Sequence, residues 1–139
     1  MSNVPPYAVV FKTHFWDAFA ARQLQRLRRH AGTENLFVLV DETRQPVPDI
    51  GHDHVIRMTE QTSEQEGFLV YPKGRLFWYN TDYQLYHFIE KFPQFAYIVT
   101  VEYDCVVNMD ISHMVEAMAV RGLDFVGQPV RSPASFWHW

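Results

Sequence analysis

Two carboxylates stand two residues apart in the segment Glu102-Tyr103-Asp104, which we call the acidic motif. Carboxylates this close repel each other unless a proton or a cation joins them. A hard divalent ion such as Mg²⁺ or Mn²⁺ does so, because it takes one or two carboxylates and completes its ligand set with substrate phosphates. The motif therefore predicts a metal ion that neutralises charge on a phosphate-bearing substrate. The alternative is a solvated acidic pair that only ends a strand.

The position of the acidic motif in the chain favours the functional interpretation. It follows a strongly apolar run at residues 97–101, which we predict to be a strand in the centre of a sheet. Thr13 and His14 end the first apolar run, and Asp41 follows the second. In an open α/β sheet, ligands bind beyond the carboxyl ends of the strands, where the strand order reverses. If strand 97–101 pairs with the free side of the first strand, all these polar residues face one another.

Apolar runs alternate with amphipathic segments along the chain. We predict strands at residues 7–13, 36–40, 55–58, 97–101 and 123–126. We predict helices after Asp17, over residues 59–66, after Asn80 or Thr81 and after Asp110, with stops at Gly32, Pro93 and Gly122. Continuous apolar strands between helices indicate a parallel sheet covered on both faces. The predicted fold is therefore a single α/β domain over residues 1–139, with an open, mostly parallel, Rossmann-like sheet.

Several side-chain predictions accompany these elements. The helix before Pro93 is expected to face the core with an apolar stripe of Leu85, Phe88, Ile89 and Phe92. The single cysteine, Cys105, has no partner for an internal disulfide, and we expect a small buried side chain there. His52 and His54 have His-x-His spacing, and with no third ligand evident a surface loop is favoured over a zinc site.

Charge and motif content argue against several classes of protein. The net charge is −4, and Lys and Arg do not cluster as a nucleic-acid site requires. The densest basic run is expected on the solvated side of a helix and consists of Arg22, Arg26, Arg28 and Arg29. No apolar run is long enough to cross a bilayer, and residues 1–6 lack signal-peptide features, so we expect a cytoplasmic protein. P-loop, dinucleotide-binding and nucleophile-elbow motifs are also missing from the sequence.

The segment at residues 97–107, Tyr-Ile-Val-Thr-Val-Glu-Tyr-Asp-Cys-Val-Val, resembles the DxD region of GT-A glycosyltransferases in a Glu-x-Asp form. The segment Trp78-Tyr79-Asn80-Thr81-Asp82-Tyr83 before a helix is also similar to uncharacterised proteins related to that fold. The resemblance implies transfer of a sugar from a nucleotide-sugar donor to a glycan, lipid or small-molecule acceptor. It implies Mn²⁺ or Mg²⁺ as cofactor, with Asp104 as metal ligand. Glu102 is implied at the ribose, at the metal or at a metal-bound water.

The same resemblance implies further contacts to the donor. Thr13, His14 and Asp41 are implied to contact the nucleoside. Asn80 and Asp82 either face the sugar donor from the start of a helix or serve only to cap that helix.

Two expectations concern the chain as a whole. Trp78 and Tyr79 either stack on a base or sugar or belong to the core, and the high aromatic content favours the core. A GT-A fold requires a second, acceptor-binding half, so we expect this chain to be truncated after its aromatic end at residues 135–139. The alternative function is a non-catalytic α/β module that keeps the fold for binding or assembly.

Overall fold

Strand β1 (Tyr7–Thr13) is the most deeply buried strand, and all of its side chains are buried. Strands β2 (Leu36–Asp41), β3 (Val55–Met58) and β4 (Tyr97–Glu102) join it in a parallel sheet with the order β3-β2-β1-β4. The computed structural model describes residues 4–127. The predicted α/β fold with a parallel sheet is confirmed, and β4 pairs with the free side of β1 as predicted.

The helices begin where short polar side chains cap them. Asp17 precedes α1 (Ala18–Ala31) and accepts the N–H groups of Phe19 and Ala20 at 2.8 and 2.9 Å. Three helices follow between β3 and β4, namely α2 (Glu60–Gln65), α3 (Leu76–Tyr79) and α4 (Thr81–Lys91). Asp110 caps α5 (Ile111–Arg121), and hydrogen bonds from Ser112 lower the pKa of its carboxyl below the usual value. These caps satisfy backbone donors that a helix start leaves unpaired.

Strand alternation divides the core into two layers, one on each face of the sheet. Val9 and Phe11 face helices α1 and α5 and pack with Leu24, Leu27, Ile111 and Val115. Ala8 and Val10 face the opposite side and pack with Phe37, Leu39, Leu76 and Phe88. Helices therefore cover both faces of the sheet, as the continuous apolar strands predicted.

Two strand predictions are wrong in the part of the chain that the structure describes. The strand at residues 97–101 was expected in the centre of the sheet, but β1 takes the place between β2 and β4. Within residues 4–127, the other side of β4 pairs with no strand, and Thr100 is exposed. Residues 123–126 form no strand, because they enter no ladder with any described strand.

Helix α4 buries only part of the apolar stripe predicted for it. Of the expected stripe, Phe88 is fully buried and Leu85 and Phe92 are half-buried, but Ile89 is 45% exposed. The buried positions beside Phe88 are the polar residues Gln84 and His87. His87 Nδ1 lies 2.7 Å from Glu66 Oε2, so a polar contact with the end of α2 fixes the rotation of α4.

None of the helices between residues 4 and 127 is both long and apolar enough to cross a membrane. The exposed positions of α1 include the four arginines expected on its solvated side, Arg22, Arg26, Arg28 and Arg29. The aromatic end at residues 135–139 lies outside the described residues.

Candidate functional site

A cavity of about 550 Å³ opens beside the carboxyl ends of β1, β2 and β4. His14, Asp41 and Glu102 line it from the ends of these strands. Residues 74–78 line it from the turn before α3 and from α3 itself, and Thr81 lines it from the start of α4. The chain runs from β1 to β2 on one side, whereas β4 pairs on the other side, so the strand order reverses at β1. The cavity therefore lies where open α/β sheets bind their ligands.

The structure brings together four of the residues predicted from the sequence. His14, Asp41, Glu102 and Asp104 all line the cavity. Thr13 does not line it, because its side chain is fully buried. The Thr13 hydroxyl donates to the carbonyl of Phe15 at 2.7 Å and so shapes the turn that presents His14.

Asn80 and Asp82 also lie outside the cavity lining, although Thr81 between them belongs to it. Asn80 is buried at the start of α4 and donates its side-chain N–H to the carbonyl of Tyr71 at 3.4 Å. Its side chain makes no capping hydrogen bond to α4, contrary to the capping alternative. Asp82 is exposed in the first turn of α4, where a negative charge favours the helix dipole.

The acidic motif adopts a turn rather than a continuous strand. β4 ends at Glu102, and the Cys105 N–H donates to the Glu102 carbonyl at 3.0 Å. Strand alternation therefore stops at Glu102 and does not determine the direction of Asp104. Asp104 is exposed and still lines the cavity. Cys105 is exposed as well, and the prediction of a buried side chain is wrong because this turn faces solvent.

Lys12 is a functional candidate that the sequence interpretation missed. It lies opposite Glu102 in the β1–β4 register, and its Nζ is 2.5 Å from Glu102 Oε1. Lys12 is only 5% exposed, whereas the Glu102 side chain is 44% exposed. The ammonium also lies 5.9 Å from the ring centroid of Phe77, within range of a cation–π contact. Lys12 thus neutralises the first carboxylate of the acidic motif.

A sequence signal for Lys12 was available. It is a single cation inside an apolar run, on the same strand face as Ala8 and Val10. A lysine buried in a parallel strand needs a counter-ion. Glu102 ends the strand that was predicted to pair with β1, so the two observations together pointed to this ion pair.

Tyr103 joins the loops that follow β1 and β4. Its ring contacts His14 and Phe15 edge-on, with ring centroids 5.3 and 4.8 Å apart. The Tyr103 N–H also donates to the Lys12 carbonyl at 3.1 Å. These contacts fix the polar ends of the two strands relative to each other, which is what a preorganised site requires.

The wall formed by residues 74–78 carries side chains that complete the cavity. Trp78 lines it and is 76% exposed, so the prediction that Trp78 belongs to the core is wrong. Tyr79 is exposed too. Leu76 takes the core position instead, because a short helix directs only some of its side chains inward. Arg44 and Arg75 also line the cavity, and no sequence spacing had singled them out.

The carboxylates around the cavity are the residues that could hold a hard cation. Asp41 accepts the Thr43 N–H at 2.9 Å through one oxygen, and Asp104 has no ion pair within residues 4–127. In that range, no group of three or more His, Cys, Asp or Glu side chains converges to hold a metal. One or two carboxylates could hold Mg²⁺ or Mn²⁺ only if phosphates and water filled the remaining positions, which is how these ions commonly bind.

The two loop histidines are engaged elsewhere. His52 contacts the Leu36 carbonyl through Nε2 and the Arg28 guanidinium through Nδ1, both at 2.8 Å. The ring of His54 packs on Phe37, with centroids 4.9 Å apart. These contacts agree with the interpretation of His52 and His54 as residues of a surface loop.

Comparison of the chain with protein-family models gives no match, and searches of curated proteins and of solved structures give none either. The resemblance to GT-A glycosyltransferases therefore stays a prediction that rests on the acidic motif and on the order of the elements.

Proposed function

We propose that the cavity binds a nucleotide-sugar together with Mn²⁺ or Mg²⁺, and that the protein transfers the sugar to an acceptor. One observation carries this proposal: His14, Asp41 and Asp104 meet in a single cavity at the reversal point of a parallel sheet. That position is the usual ligand site of open α/β sheets. Carboxylates there supply the oxygen ligands that a divalent ion on a diphosphate requires.

The contacts around the cavity suggest how the roles divide. Asp104 is the metal ligand that we propose first, because it is exposed to the cavity and has no cationic partner within the described residues. Glu102 is less available as a ligand, because Lys12 already holds its carboxylate. Asp41 can contact either the nucleoside or the metal. The bound ion supplies charge neutralisation for the diphosphate leaving group.

Trp78 suits the remaining part of the donor. Its indole ring is largely exposed at the cavity wall, and such a surface offers apolar area for a base or a sugar ring. We expect the bound ligand to cover this exposed indole ring.

Calorimetry with nucleoside diphosphates tests the metal-dependent part of the proposal. We expect Mn²⁺ to raise the affinity for UDP or GDP about tenfold or more relative to EDTA, and Asp104→Asn to remove that increase. Asp53→Asn is the matched control, because Asp53 is an exposed carboxylate on the loop before β3, outside the cavity.

The outcomes separate the two candidate functions. Equal affinities with Mn²⁺ and with EDTA contradict a metal-dependent site. No binding of either diphosphate by the folded protein supports the non-catalytic module instead. Hydrolysis of UDP-sugars or GDP-sugars that depends on Mn²⁺ and on Asp104 supports the transferase.

A further inference from the structure

One wall of the cavity is built by hydrogen bonds between segments that lie far apart in the sequence. Glu60, at the start of α2, is only 8% exposed. Its Oε1 accepts the N–H of Gly74 and, at 3.0 Å, the N–H of Arg75. The backbone N–H of Glu60 donates to the Thr43 hydroxyl at 2.9 Å, which connects this wall to the loop after β2. The buried carboxylate thus fixes the backbone at Arg75.

Arg44 completes this wall from the loop after β2. Its Nη2 donates to the Gly74 carbonyl at 2.9 Å. The peptide groups of Gly74 are therefore held on both sides, the N–H by Glu60 and the carbonyl by Arg44. A guanidinium has five N–H donors, so the contact with Gly74 leaves most of those of Arg44 for a ligand.

Among the described residues, Arg44 and Arg75 differ from Lys12 and Arg57 in having no carboxylate partner. Lys12 pairs with Glu102, and Arg57 pairs with Glu42. Within residues 4–127, Arg44 and Arg75 have no carboxylate at ion-pair distance, although both line the cavity. Asp41 and Asp104 line the same cavity but form no ion pair with either guanidinium. Two guanidinium groups at the cavity wall without an ion-pair partner in the described part of the chain favour an anionic ligand.

We infer that Arg44 and Arg75 form an anion-binding pair for the phosphate groups of the ligand, with Glu60 as the positioning residue. The identity of the phosphates as those of a nucleotide-sugar rests on the proposed function. The anion binding itself requires no metal, because the two guanidinium groups supply the positive charge. The cavity then has two separate means of holding a diphosphate, the arginine pair and the ion at Asp104.

Pyrophosphate binding in EDTA at low ionic strength tests the arginine pair directly. We expect the wild-type protein to bind, Arg44→Gln and Arg75→Gln each to weaken the affinity about tenfold, and the double variant to lose measurable binding. Glutamine removes the charge and keeps much of the stem. The matched control is Arg29→Gln, because Arg29 is exposed on α1, away from the cavity lining, and its variant is expected to bind as the wild type does.

Glu60 has a test of its own. Glu60→Ala removes the acceptor for both backbone N–H groups, and we expect it to weaken pyrophosphate binding about tenfold. Glu60→Gln keeps an acceptor oxygen, and we expect this variant to retain most of the wild-type affinity for pyrophosphate. Circular dichroism checks that each variant is folded. A folded Glu60→Ala protein that binds as tightly as the wild type overturns the positioning role.

The outcomes for the arginine pair and for the metal are separable. Absence of pyrophosphate binding by the wild-type protein in EDTA overturns the inference, as does wild-type affinity in the double arginine variant. If arginine dependence is found but Mn²⁺ never raises diphosphate affinity, the inference holds and the proposed function is contradicted. If Asp104 supports Mn²⁺-dependent binding and the arginines have no effect, the inference alone is overturned.

Discussion

The pairing of Lys12 with Glu102 changes how the acidic motif is interpreted residue by residue. Two carboxylates close together were expected to need a cation. The chain itself supplies a cation for one of the two carboxylates, because the Lys12 ammonium pairs with Glu102. Glu102 therefore helps to keep Lys12 buried, whereas Asp104 remains exposed to the cavity. The two acids of the motif have different environments, and their substitutions should have different effects.

Stability measurements distinguish the two ends of this ion pair. Glu102→Gln leaves a buried ammonium without its counter-ion, and we expect a loss of about 2 kcal/mol in the free energy of unfolding. Lys12→Met replaces the buried cation with an apolar chain and leaves a half-exposed carboxylate that water can solvate. We expect that variant to lose less than about 1 kcal/mol. Urea denaturation measures both values.

The double variant Lys12→Met/Glu102→Gln provides the check on this account. We expect it to be more stable than Glu102→Gln alone, because no unpaired buried charge remains. A larger loss from Lys12→Met than from Glu102→Gln contradicts the assignment of Glu102 as the counter-ion of Lys12.

Among the elements, α4 is the helix whose orientation the sequence predicted least well. Apolar periodicity indicated Leu85 and Ile89 on the buried face, but the helix turns Gln84 and His87 inward. The side-chain amide atoms of Gln84 have no hydrogen-bond partner in the part of the chain that the structure describes. Hydropathy cannot predict a buried polar stripe, because the contact that favours it, His87 with Glu66, is between different helices.

Replacing Gln84 tests whether its buried amide costs stability. Gln84 is 1% exposed, and methionine has a similar length without polar atoms. We expect Gln84→Met to raise the free energy of unfolding by about 1 kcal/mol, because an unpaired buried amide is removed.

Gln23 on α1 is the matched control for Gln84. It is buried too, but its Oε1 accepts a hydrogen bond from Arg26 at 3.3 Å, so Gln23→Met is expected to give no gain. Thermal and urea unfolding of the two variants gives the comparison. Destabilisation by Gln84→Met, with Gln23→Met unchanged, would contradict this prediction.

Elements with a strong local signal were predicted closely. β1 begins and ends where its apolar run does, Asp17 caps α1 as predicted, and α5 begins directly after Asp110 as predicted. Such features depend on neighbouring residues alone. Residues 123–126 have a similar apolar character but form no strand, because a strand also requires a partner.

For the molecule as a whole, the order of strands and helices along the chain predicted the parallel sheet and the point where its strand order reverses. This strand order was sufficient to predict that His14, Asp41 and Asp104 lie close together, and all three line one cavity. The wall at residues 74–78 was not predictable, because it depends on long-range hydrogen bonds. Arg44 reaches Gly74 across 30 positions in the chain, and Glu60 reaches Arg75 across 15. Spacing rules concern near neighbours and contain no information on such contacts.

Paramagnetic broadening by Mn²⁺ locates the metal within the folded molecule. With UDP or GDP present, whichever binds more tightly, Mn²⁺ broadens amide NMR signals most strongly at the residues nearest to it. We predict the strongest broadening at His14, Asp41 and Asp104, little effect along α5 at Met118, and loss of the pattern in Asp104→Asn. Broadening centred on α5, or an unchanged pattern in Asp104→Asn, would contradict a metal site at the carboxyl ends of β1, β2 and β4.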